Sequence, residues 1–564
     1  MFNKSILSLA VVVALSACSS DDDKNSAPTN LSLSNLEVAE NQAGATIGDL
    51  SVTDTDSGDT FTFTVSDDRF EIVGTELKLT AETALDYEAI QSVDLTITVT
   101  DSADNTLASD VTISVTDELD TYSFSNTTAG ESSVSYSGQV ARHILIAELN
   151  NYINEGLQAD IESGDVSTSA EALEKLMFFY TTTDEQYDEA LGQHIITVDT
   201  LEDSKQAVLA DISSSKKDLN GKIAGNDATG QHEVWADKFV AFGAQGSQSP
   251  QQLIEALLSE IADNAEVEAE GEKRQDVFGN DITKVYIAAD GRDLKQLVQK
   301  ILLGAVTFSQ GVDDYLDNDI DGKGLKSDNT ALVDGKPYTS LEHQYDEGFG
   351  YFGAARDYLS YTDEEIAAKG GRDEYQGMMD TNDDGMIDFN SEFNFGHSLN
   401  AAKRDLGTAD NSAPTDFTKE AMEAFLQGRQ IIANADVTAL TDAQMTDLLA
   451  QRDIAVLAWE KAIASTAVHY INDTIGDYTN WGTDDFSYAD LAKHWSELKG
   501  FLVSLQFNPR SPLSEANFIN VNTLVADAPV LTAENVDAYV TDLESARDIL
   551  QTAYNFTSEN VTNW

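Results

Sequence analysis

The spacing of apolar residues changes once along the chain, and this change most constrains what the chain can fold into. In residues 30–118, apolar and polar residues alternate in short stretches such as FTFTVS (61–66) and VDLTITVTD (93–101). Such alternation, broken regularly by turn residues, predicts a small antiparallel β-sandwich. From residue 138 to 564 the apolar residues follow a period of 3.6, which predicts a large all-α helical bundle domain. The chain is therefore predicted to be multidomain, as its length also indicates.

The helical part is predicted to form one bundle with an insertion. Several amphipathic patterns begin at Ser, Thr or Asp, as N-caps do, and the whole chain has only 7 prolines to interrupt them. Residues 121–137 predict an extended connection, and residues 181–247, which are polar and rich in Gly and Ser, predict the insertion. The predicted helices cover residues 139–157, 171–180, 249–261, 293–316, 340–359, 418–435, 446–473, 487–507 and 535–554.

The charge of the chain excludes one class of partner. Acidic residues number 99 and basic residues 33, which gives a formal net charge of −66. Nucleic-acid binding needs a basic surface, so no nucleic-acid partner is predicted. A disordered acidic polymer is not predicted either, because 41% of the residues are hydrophobic and they recur periodically.

The start of the chain, MFNKSILSLAVVVALSAC, predicts a lipid anchor. A basic residue precedes an apolar run that is too short to span a bilayer, and the chain's one cysteine, Cys18, follows it. The stretch resembles a bacterial lipoprotein signal. The resemblance implies removal of residues 1–17, lipidation of Cys18, a polar tether over 18–29 and the membrane as a partner. It also implies that the protein lies in the bacterial cell envelope, with the outer membrane favoured. Both the periplasmic and the outer face of that membrane remain alternatives. The alternative is an ordinary secretory signal.

The clearest chemical motif is an acidic loop, DTNDDGMIDFNSE, at residues 380–392. Its oxygen side chains alternate, Gly385 permits a sharp turn, and the next backbone carbonyl can face inward, as in an EF-hand calcium loop. One departure is that the twelfth position is Ser391 and the glutamate comes one residue later. The alternative is an acidic turn between helices. The predicted calcium ligands are Asp380, Asn382, Asp384, Met386, Asp388 and Glu392.

A second acidic loop, DNDIDGKG, follows the helix predicted to end at Leu316. It repeats the alternating acids and the glycine, although Gly324 stands where an apolar residue is expected. The alternative is a helix C-terminal turn. The predicted ligands of this possible calcium site are Asp317, Asp319, Asp321 and Asp328.

The β-rich part resembles a cadherin-like repeat over residues 30–120. Five pieces match in order: VAEN (38–41), DTDSGD (54–59), LDYE (85–88), VTDSADN (99–105) and VTDELD (115–120). In that family calcium lies between successive repeats, and only one repeat is present here. The resemblance implies a calcium half-site at each end and a possible surface protein partner, whereas the alternative is that these acids only cap turns. The implied half-sites are Glu40, Asp86, Glu88, Asp117 and Asp120 at one end, and Asp54, Asp56 and Asp101 at the other.

The helix predicted over 340–359 carries a further candidate site. Its core face holds large apolar residues, and His343 and Glu347 lie one turn apart on the opposite face. Gly350 and Ala354 share that opposite face, and glycine on a solvated helix would cost ~1 kcal/mol for no gain. We therefore expect another backbone to pass close to it.

Packed in this way, His343, Glu347 and His397 would form a transition-metal site between helices. The alternative is a buried hydrogen bond with ordinary core packing. His143, His469 and His494 are predicted to have no ligating partner at helical spacing and to be core or surface histidines.

Three segments carry a second resemblance, over residues 121–560. DLKQLVQKILLGAV, YTSLEHQYDEGFGYFGAARDYL and HSLNAAKRD resemble an uncharacterised domain family of bacterial lipoproteins, similar in design to the imelysin-like, iron-regulated helical proteins. The resemblance implies iron, zinc or haem as a cofactor or cargo. Imelysin-like proteins carry Gly-x-His-x-x-Glu, whereas here Leu341 stands two residues before His343 and Asp346 three after it.

No nucleophile motif, phosphate loop or His-Glu-x-x-His is present, so the chain is not predicted to be an enzyme. A metallopeptidase is a further alternative. The leading prediction is a lipid-anchored envelope protein that binds calcium and acquires, presents or senses a metal or haem. The alternative is a calcium-dependent adhesion or surface-interaction protein that acts through the cadherin-like repeat.

Overall fold

The computed structural model divides into two compact units, Met1–Leu119 and Asp120–Trp564. The predicted signal at 1–17, Cys18 and the start of the tether lie outside the described residues. No helix of the described part is both long and apolar enough to cross a bilayer. The structure describes residues 25–40, 42–81, 83–85, 87, 90–116, 119–198, 200, 202–227, 229–231, 233–367 and 377–564.

The first unit is a sandwich of two four-stranded sheets, as predicted. The strand orders are β1-β3-β6-β5 and β2-β8-β7-β4. The apolar residues of the alternating stretches face inward, so that Leu77, Leu79, Val99 and Ile113 are fully buried. The pattern did not show that β2 pairs with β8 in parallel, so the sandwich is not wholly antiparallel. The strands are β1 (Asn30–Leu33), β2 (Glu37–Ala39), β3 (Thr46–Thr53), β4 (Thr62–Val65), β5 (Phe70–Val73), β6 (Glu76–Leu79), β7 (Ser92–Thr100) and β8 (Thr106–Thr116).

The second unit is helical, as predicted, and is built around one long helix, α13, on which α11, α12, α14 and α16 pack. Trp459 on α13 and Trp495 on α14 are fully buried. The helices are α1 (Ser137–Asn151), α2 (Leu157–Ser163), α3 (Ser169–Tyr180), α4 (Asp184–Glu189), α5 (Leu209–Ile212), α6 (Trp235–Lys238), α7 (Pro250–Ala269), α8 (Leu294–Leu302), α9 (Ser340–Phe352), α10 (Asp363–Ala367), α11 (His397–Leu406), α12 (Phe417–Ala435), α13 (Asp442–Thr479), α14 (Tyr488–Ser504), α15 (Glu515–Val525), α16 (Val536–Tyr554) and α17 (Ser558–Asn563).

Several helices continue into tighter or wider turns. The segment predicted as one helix over 293–316 is α8 followed by two π-helical segments, Leu303–Phe308 and Gly311–Tyr315, and a third, Tyr152–Gly156, joins α1 to α2. Short 3-10 turns lie at Leu191–Gln193, Asn220–Lys222, Gly324–Lys326, Tyr358–Ser360, Leu505–Phe507 and Ala533–Asn535.

The helix predicted over 340–359 is shorter than expected. Thr339 caps α9 by accepting a hydrogen bond from the backbone N–H of Glu342. The helix stops at Phe352 because Gly353 takes the left-handed conformation, with φ of 86°. Ala354 is therefore not on the helix. The face of α9 that carries Gly350 is closely packed, as expected, but against a side chain and not a backbone, because a Cβ on Gly350 would lie 2.7 Å from Cβ of Tyr136.

The predicted connection 121–137 and insertion 181–247 both belong to the helical unit. The connection forms a small hairpin of β9 (Ser125–Asn126) and β10 (Glu131–Ser132). Tyr122 is buried and stacks on Phe349, with ring centroids 3.8 Å apart. In the insertion, β11 (Asp203–Ser204) pairs in parallel with β12 (Met386–Ile387). This pairing sets the insertion against the acidic loop.

Candidate functional site

One end of the β-sandwich gathers acidic side chains directly after β3. One carboxylate oxygen from each of Asp54, Asp56 and Asp59 lies within 4.8 Å of the others, and no other such acidic or histidine-containing group occurs in the described residues. Oδ1 of Asp54 accepts a hydrogen bond from the backbone N–H of Asp56 at 2.9 Å. Oδ2 of Asp54 is buried and accepts no hydrogen bond from the described part of the chain. A buried carboxylate oxygen beside two further carboxylates fits a hard cation.

Asp101 belongs to the same end through a chain of hydrogen bonds. Asn105 donates from Nδ2 to Oδ2 of Asp101 and to Oδ1 of Asn25, each at 2.9 Å. Asn25 in turn donates from Nδ2 to Oδ2 of Asp59 at 2.7 Å. Burial acts to raise the pKa of Asp101, but hydrogen bonds from Asn105 and Ala103 lower it overall and hold the side chain ionised.

The structure thus brings Asp54, Asp56 and Asp101 to one end, as the resemblance implied. It adds two groups that the sequence reasoning did not assign. Asp59 is the last residue of the matching stretch DTDSGD, so the motif itself contained the signal. Ser26, within the predicted tether, donates its backbone N–H to Oδ2 of Asp56 at 2.5 Å. The end of the tether is therefore part of the site.

The opposite half-site is described only in part. Glu40 is buried, and its Oε2 accepts the backbone N–H of Tyr87 at 2.6 Å. Asp86, Glu88 and Asp117 lie outside the described residues, and Asp120 belongs to the helical unit. Calcium binding at this end stays a prediction.

In the helical unit, the loop 380–392 turns its first acids inward. Asp380 accepts the backbone N–H groups of Asp384 at 3.1 Å and Gly385 at 2.6 Å. Oδ1 of Asn382 accepts the same N–H of Asp384 at 3.0 Å, and Gly385 has φ of 80°. These bonds close the sharp turn that the motif predicts.

At the far side of this loop, Glu392 is hydrogen-bonded across it. Glu392 accepts the backbone N–H of Asp388 at 2.7 Å and the side-chain amide of Asn382 at 3.2 Å. Burial raises the pKa of Glu392, and the charges of Asp388 and Asp380 raise it further. Concentrated negative charge of this kind is what a bound cation would relieve. Glu392, one residue later than the twelfth position, is therefore the glutamate that closes the loop by hydrogen bonds.

One cation already competes for the loop. Nζ of Lys205 lies 3.3 Å from Oδ2 of Asp388, and Nε2 of Gln206 donates to Oδ1 of Asp388 at 2.8 Å. Both partners come from the insertion, directly after β11. Asp388 is thus already engaged, and Asp380 and Glu392 accept hydrogen bonds within the loop. The carboxylates of the loop form no metal-ligand group in the described residues, so calcium binding at this loop stays a prediction.

The second acidic loop does not gather its four acids. Oδ1 of Asp317 lies 2.6 Å from Nη1 of Arg510 in a largely buried ion pair. Asp321 has a side chain that is 95% exposed and pairs with Lys326 at 3.0 Å. Asp328 accepts hydrogen bonds from Thr330, and Asp319 gives its backbone N–H to Asp317. The loop therefore resembles the alternative, a turn that follows a helix.

His343 and Glu347 lie together, but His397 lies elsewhere. Nε2 of His343 is 3.7 Å from Oε2 of Glu347, and Nδ1 of His343 contacts the backbone carbonyl of Ser135 at 2.9 Å. His397 is fully buried against Phe308, and its Nδ1 accepts a hydrogen bond from Nε1 of Trp459 at 2.9 Å. The three residues form no metal-ligand group in the described structure. The expected convergence is corrected, because His397 begins α11 and turns into the α13 core.

The acid beside that pair has a structural partner that the sequence did not reveal. Oδ1 of Asp346 accepts hydrogen bonds from Nε of Arg429 at 2.8 Å and from the hydroxyl of Tyr122 at 2.9 Å. Arg429 also lies 3.3 Å from Glu342. All four side chains are buried. Asp346 is therefore occupied and is not a ready metal ligand.

His143 and His397 are both neutral core residues. Burial lowers the pKa of His143 to about 4 and that of His397 to about 3. His143 stacks on Phe395 and is buried, so of the two predicted places, core and surface, it occupies the core. The prediction that His469 lacks a partner at helical spacing is wrong, since its Nε2 lies 3.3 Å from Oδ2 of Asp473, one turn further along α13.

Two family models match the chain. The model described as "Domain of unknown function (DUF4856)" matches residues 120–553, and the model described as "Cadherin domain" matches residues 34–116. The resemblance of the β-rich part to a cadherin repeat is thereby confirmed, and so is an uncharacterised family for the helical part. Neither match tests the lipoprotein signal or the likeness to imelysin-like proteins.

One solved structure, "Crystal Structure of Human Protocadherin-24 EC1-2", matches at 25% identity over 17% of this chain and 47% of that chain, with a TM-score of 0.15. The chain spans about half of that structure, and the score is too low to support an argument. No functionally curated protein matches the chain.

Proposed function

We propose a function from the residues themselves, because the chain belongs to the family described as Domain of unknown function (DUF4856), and that description names no activity. The proposed function is that of a calcium-binding, non-catalytic protein of the bacterial cell envelope. It is held by a lipid on Cys18 and makes adhesive or other contacts with a surface partner through its cadherin-like unit.

The proposal depends on the carboxylates of Asp54, Asp56 and Asp59. Three acidic oxygens within 4.8 Å repel one another unless a cation lies between them. Calcium takes six to eight oxygen ligands at about 2.3–2.6 Å and accepts irregular cages. Asp101 and the oxygens of Asn25 supply further groups at the same end. Ordering Asn25 and Ser26 around an ion would stiffen the junction between tether and sandwich.

The test is calcium binding by the full chain in detergent. Asp54→Asn combined with Asp56→Asn should abolish one class of calcium site and the part of the calcium-induced rise in Tm that belongs to the β unit. Asp68→Asn is the matched control. Asp68 is exposed and lies at the opposite end of β4 from the site. It follows Val65, which pairs with Ile97, whereas Thr62 at the site's end of β4 pairs with Thr100, beside Asp101. Unchanged calcium stoichiometry in the double variant would refute the site.

Adhesion needs a separate readout. Cells that display the full chain should clump in calcium and disperse on chelation, and the double variant should clump less than the Asp68→Asn control. Clumping that is indifferent to both chelation and the double substitution would rule out calcium-dependent adhesion.

A second candidate function, presentation of a transition metal or haem, is favoured by the contact between His343 and Glu347. The His343 side chain is 30% exposed and that of Glu347 17%, so an ion could reach both. Metal analysis of the full chain after exposure to zinc or iron should then show about one equivalent that is lost in His343→Asn. His194→Asn is the control, since His194 also contacts a glutamate, Glu148, at 2.8 Å. Equal metal contents in wild type and both variants would leave calcium as the cofactor.

The remaining alternative is a metallopeptidase. It would require cleavage of a protein substrate that disappears in Glu347→Gln, and stable substrate in the presence of zinc-loaded protein would exclude it.

A further inference from the structure

A cleft between α8, α11, α13 and α14 concentrates positive charge in this acidic protein. Its volume is about 510 Å³, which suits a small molecule. Lys300, Lys403, Arg404 and Lys493 line it together with two acids, Glu497 and Asp473. With its histidines neutral, this lining carries a net charge of +2, whereas the whole chain carries −66.

Arg404 is the residue of the cleft whose side chain most needs hydrogen-bond acceptors. The residue is only 5% exposed, and its Nε and Nη1 are buried without a hydrogen-bond partner in the described residues. Burial lowers the pKa of Arg404 to about 10, and the side chain still stays charged at neutral pH. A buried guanidinium without hydrogen bonds is costly, and a planar carboxylate or a phosphate offers the paired acceptor oxygens that satisfy it.

The acids of the cleft do not fill this role. Glu497 pairs with Lys300, at 3.6 Å between Oε1 and Nζ. Oδ2 of Asp473 lies 3.3 Å from Nε2 of His469, and among the described residues no ion pair joins Asp473 to Arg404. Within the described part of the chain, no acceptor of the lining is therefore hydrogen-bonded to Nε or Nη1 of Arg404.

One wall of the cleft is apolar and aromatic. The rings of Tyr470 and Phe501 stack with centroids 5.9 Å apart and planes 11° apart. Leu303 and Leu399 lie beside them in the lining. A ligand with a carbon skeleton would cover this wall, whereas an inorganic ion would not.

We propose that this cleft binds a small organic anion, with Arg404 receiving its carboxylate or phosphate group and Lys493 adding charge at the rim. Lys493 is exposed, so it can meet the anion as it enters. The site lies within the helical unit, and its ligand is independent of the calcium sites.

The test uses the full chain in detergent at fixed calcium, with three probes: benzoate, succinate and inorganic phosphate. Calorimetry should show saturable binding near one equivalent, with at least one of the carboxylates bound more tightly than phosphate because of the apolar wall. Phosphate as the tightest probe would overturn the organic part of the proposal. No saturable binding of any probe would overturn all of it.

Variants assign the binding to the cleft. Arg404→Gln should weaken the best probe at least tenfold, and Lys493→Gln, at an exposed position that folding tolerates, should weaken it several-fold. Lys461→Gln removes the same charge from α13, where Lys461 pairs with Glu420 at 3.8 Å outside the lining, and should leave affinity unchanged. Equal affinities in Lys493→Gln, Arg404→Gln and the control would refute the cleft as the site.

Discussion

Asp346 and Arg429 form a fully buried ion pair, with Oδ1 of Asp346 2.8 Å from Nε of Arg429 and no exposure of either side chain. The pair joins α9 to α12, and through the hydroxyl of Tyr122 it also holds the start of the helical unit. Arg429 also neutralises Glu342, which lies on α9 with Asp346. Two buried carboxylates thus depend on one guanidinium.

Arg429→Met should destabilise the helical unit by about 3–5 kcal/mol, because it leaves Asp346 and Glu342 buried without their cation. Urea unfolding followed by far-UV circular dichroism measures the change. Lys419→Met breaks an exposed pair with Glu423, at 3.6 Å, and should shift stability by less than about 1 kcal/mol. Similar midpoints for the two variants would show that the buried pair is not needed for stability.

Glu460 should make the helical unit less stable as pH rises. It is fully buried on α13 and accepts hydrogen bonds from Asn508, Ser511 and Tyr554. Burial raises its pKa from 4.5 to about 7. The contribution of Glu460 to the free energy of unfolding is therefore fully present below pH 4.5 and is lost as pH rises through about 7.

Glu460→Gln cannot ionise, so its stability relative to wild type should improve between about pH 5 and about pH 8, by on the order of 3 kcal/mol. Urea unfolding at the two pH values measures it. Glu423→Gln, where the side chain is 45% exposed, is the control and should show no such trend. A difference between variant and wild type that stays constant with pH would mean that Glu460 is ionised throughout.

Replacing Gly350 and Gly476 by alanine should change the stability of the helical unit in opposite directions. A Cβ on Gly350 would lie 2.7 Å from Cβ of Tyr136, so Gly350→Ala should cost about 1–3 kcal/mol. Gly476 lies within α13 with nothing within 4 Å of an added Cβ, and Gly476→Ala should stabilise by about 0.5–1 kcal/mol. Thermal unfolding compares them, and a stabilising Gly350→Ala would show that α9 can shift away from Tyr136.

The calcium affinity of the loop 380–392 should rise when Lys205 is replaced. Lys205→Met removes the cation that lies 3.3 Å from Asp388, so the loop should bind calcium more tightly. Asp380→Asn should weaken binding, because Asp380 orders the turn through the N–H groups of Asp384 and Gly385. Calorimetry in the Asp54→Asn, Asp56→Asn background isolates this loop. Affinity unchanged in both variants would place the remaining calcium elsewhere.

Lipidation of Cys18 is open to a direct test. Cys18→Ser should release the protein from the membrane fraction of the cell, as judged by fractionation and by loss of lipid-dependent partition into detergent. Membrane association that persists in Cys18→Ser would favour a different anchor. Cys18 is the only cysteine in the chain, so no other thiol can substitute for it.

Periodicity was sufficient to predict the two kinds of unit, since it records which faces are buried. It could not show where α9 ends, because Gly348, Gly350 and Gly353 look alike in sequence and only Gly353 adopts positive φ. The apolar pattern continues past that glycine, which extended the predicted helix to residue 359.

The candidate sites fall into two groups: those built from one short stretch of sequence and those that form only when distant segments pack together. Asp54, Asp56 and the loop 380–392 are local motifs, so their spacing predicts which oxygens can meet. Arg429 and Asp346 are 83 residues apart, and Arg404 meets its cleft only when four helices pack. Contacts of that range leave no periodic trace, which is also why His397 was placed with His343 and not against Trp459.

The buried contacts of Tyr122 decide where tension on the chain is borne. A pull applied through the β unit would reach Asp120 and, two residues later, Tyr122, whose ring stacks on Phe349 and whose hydroxyl donates a hydrogen bond to Asp346. The force would act on the interior of the helical unit and not on a flexible linker. Unfolding of the helical unit under force should then begin when the Tyr122 ring leaves its contact with Phe349. A pulling experiment should record this as a single rupture event.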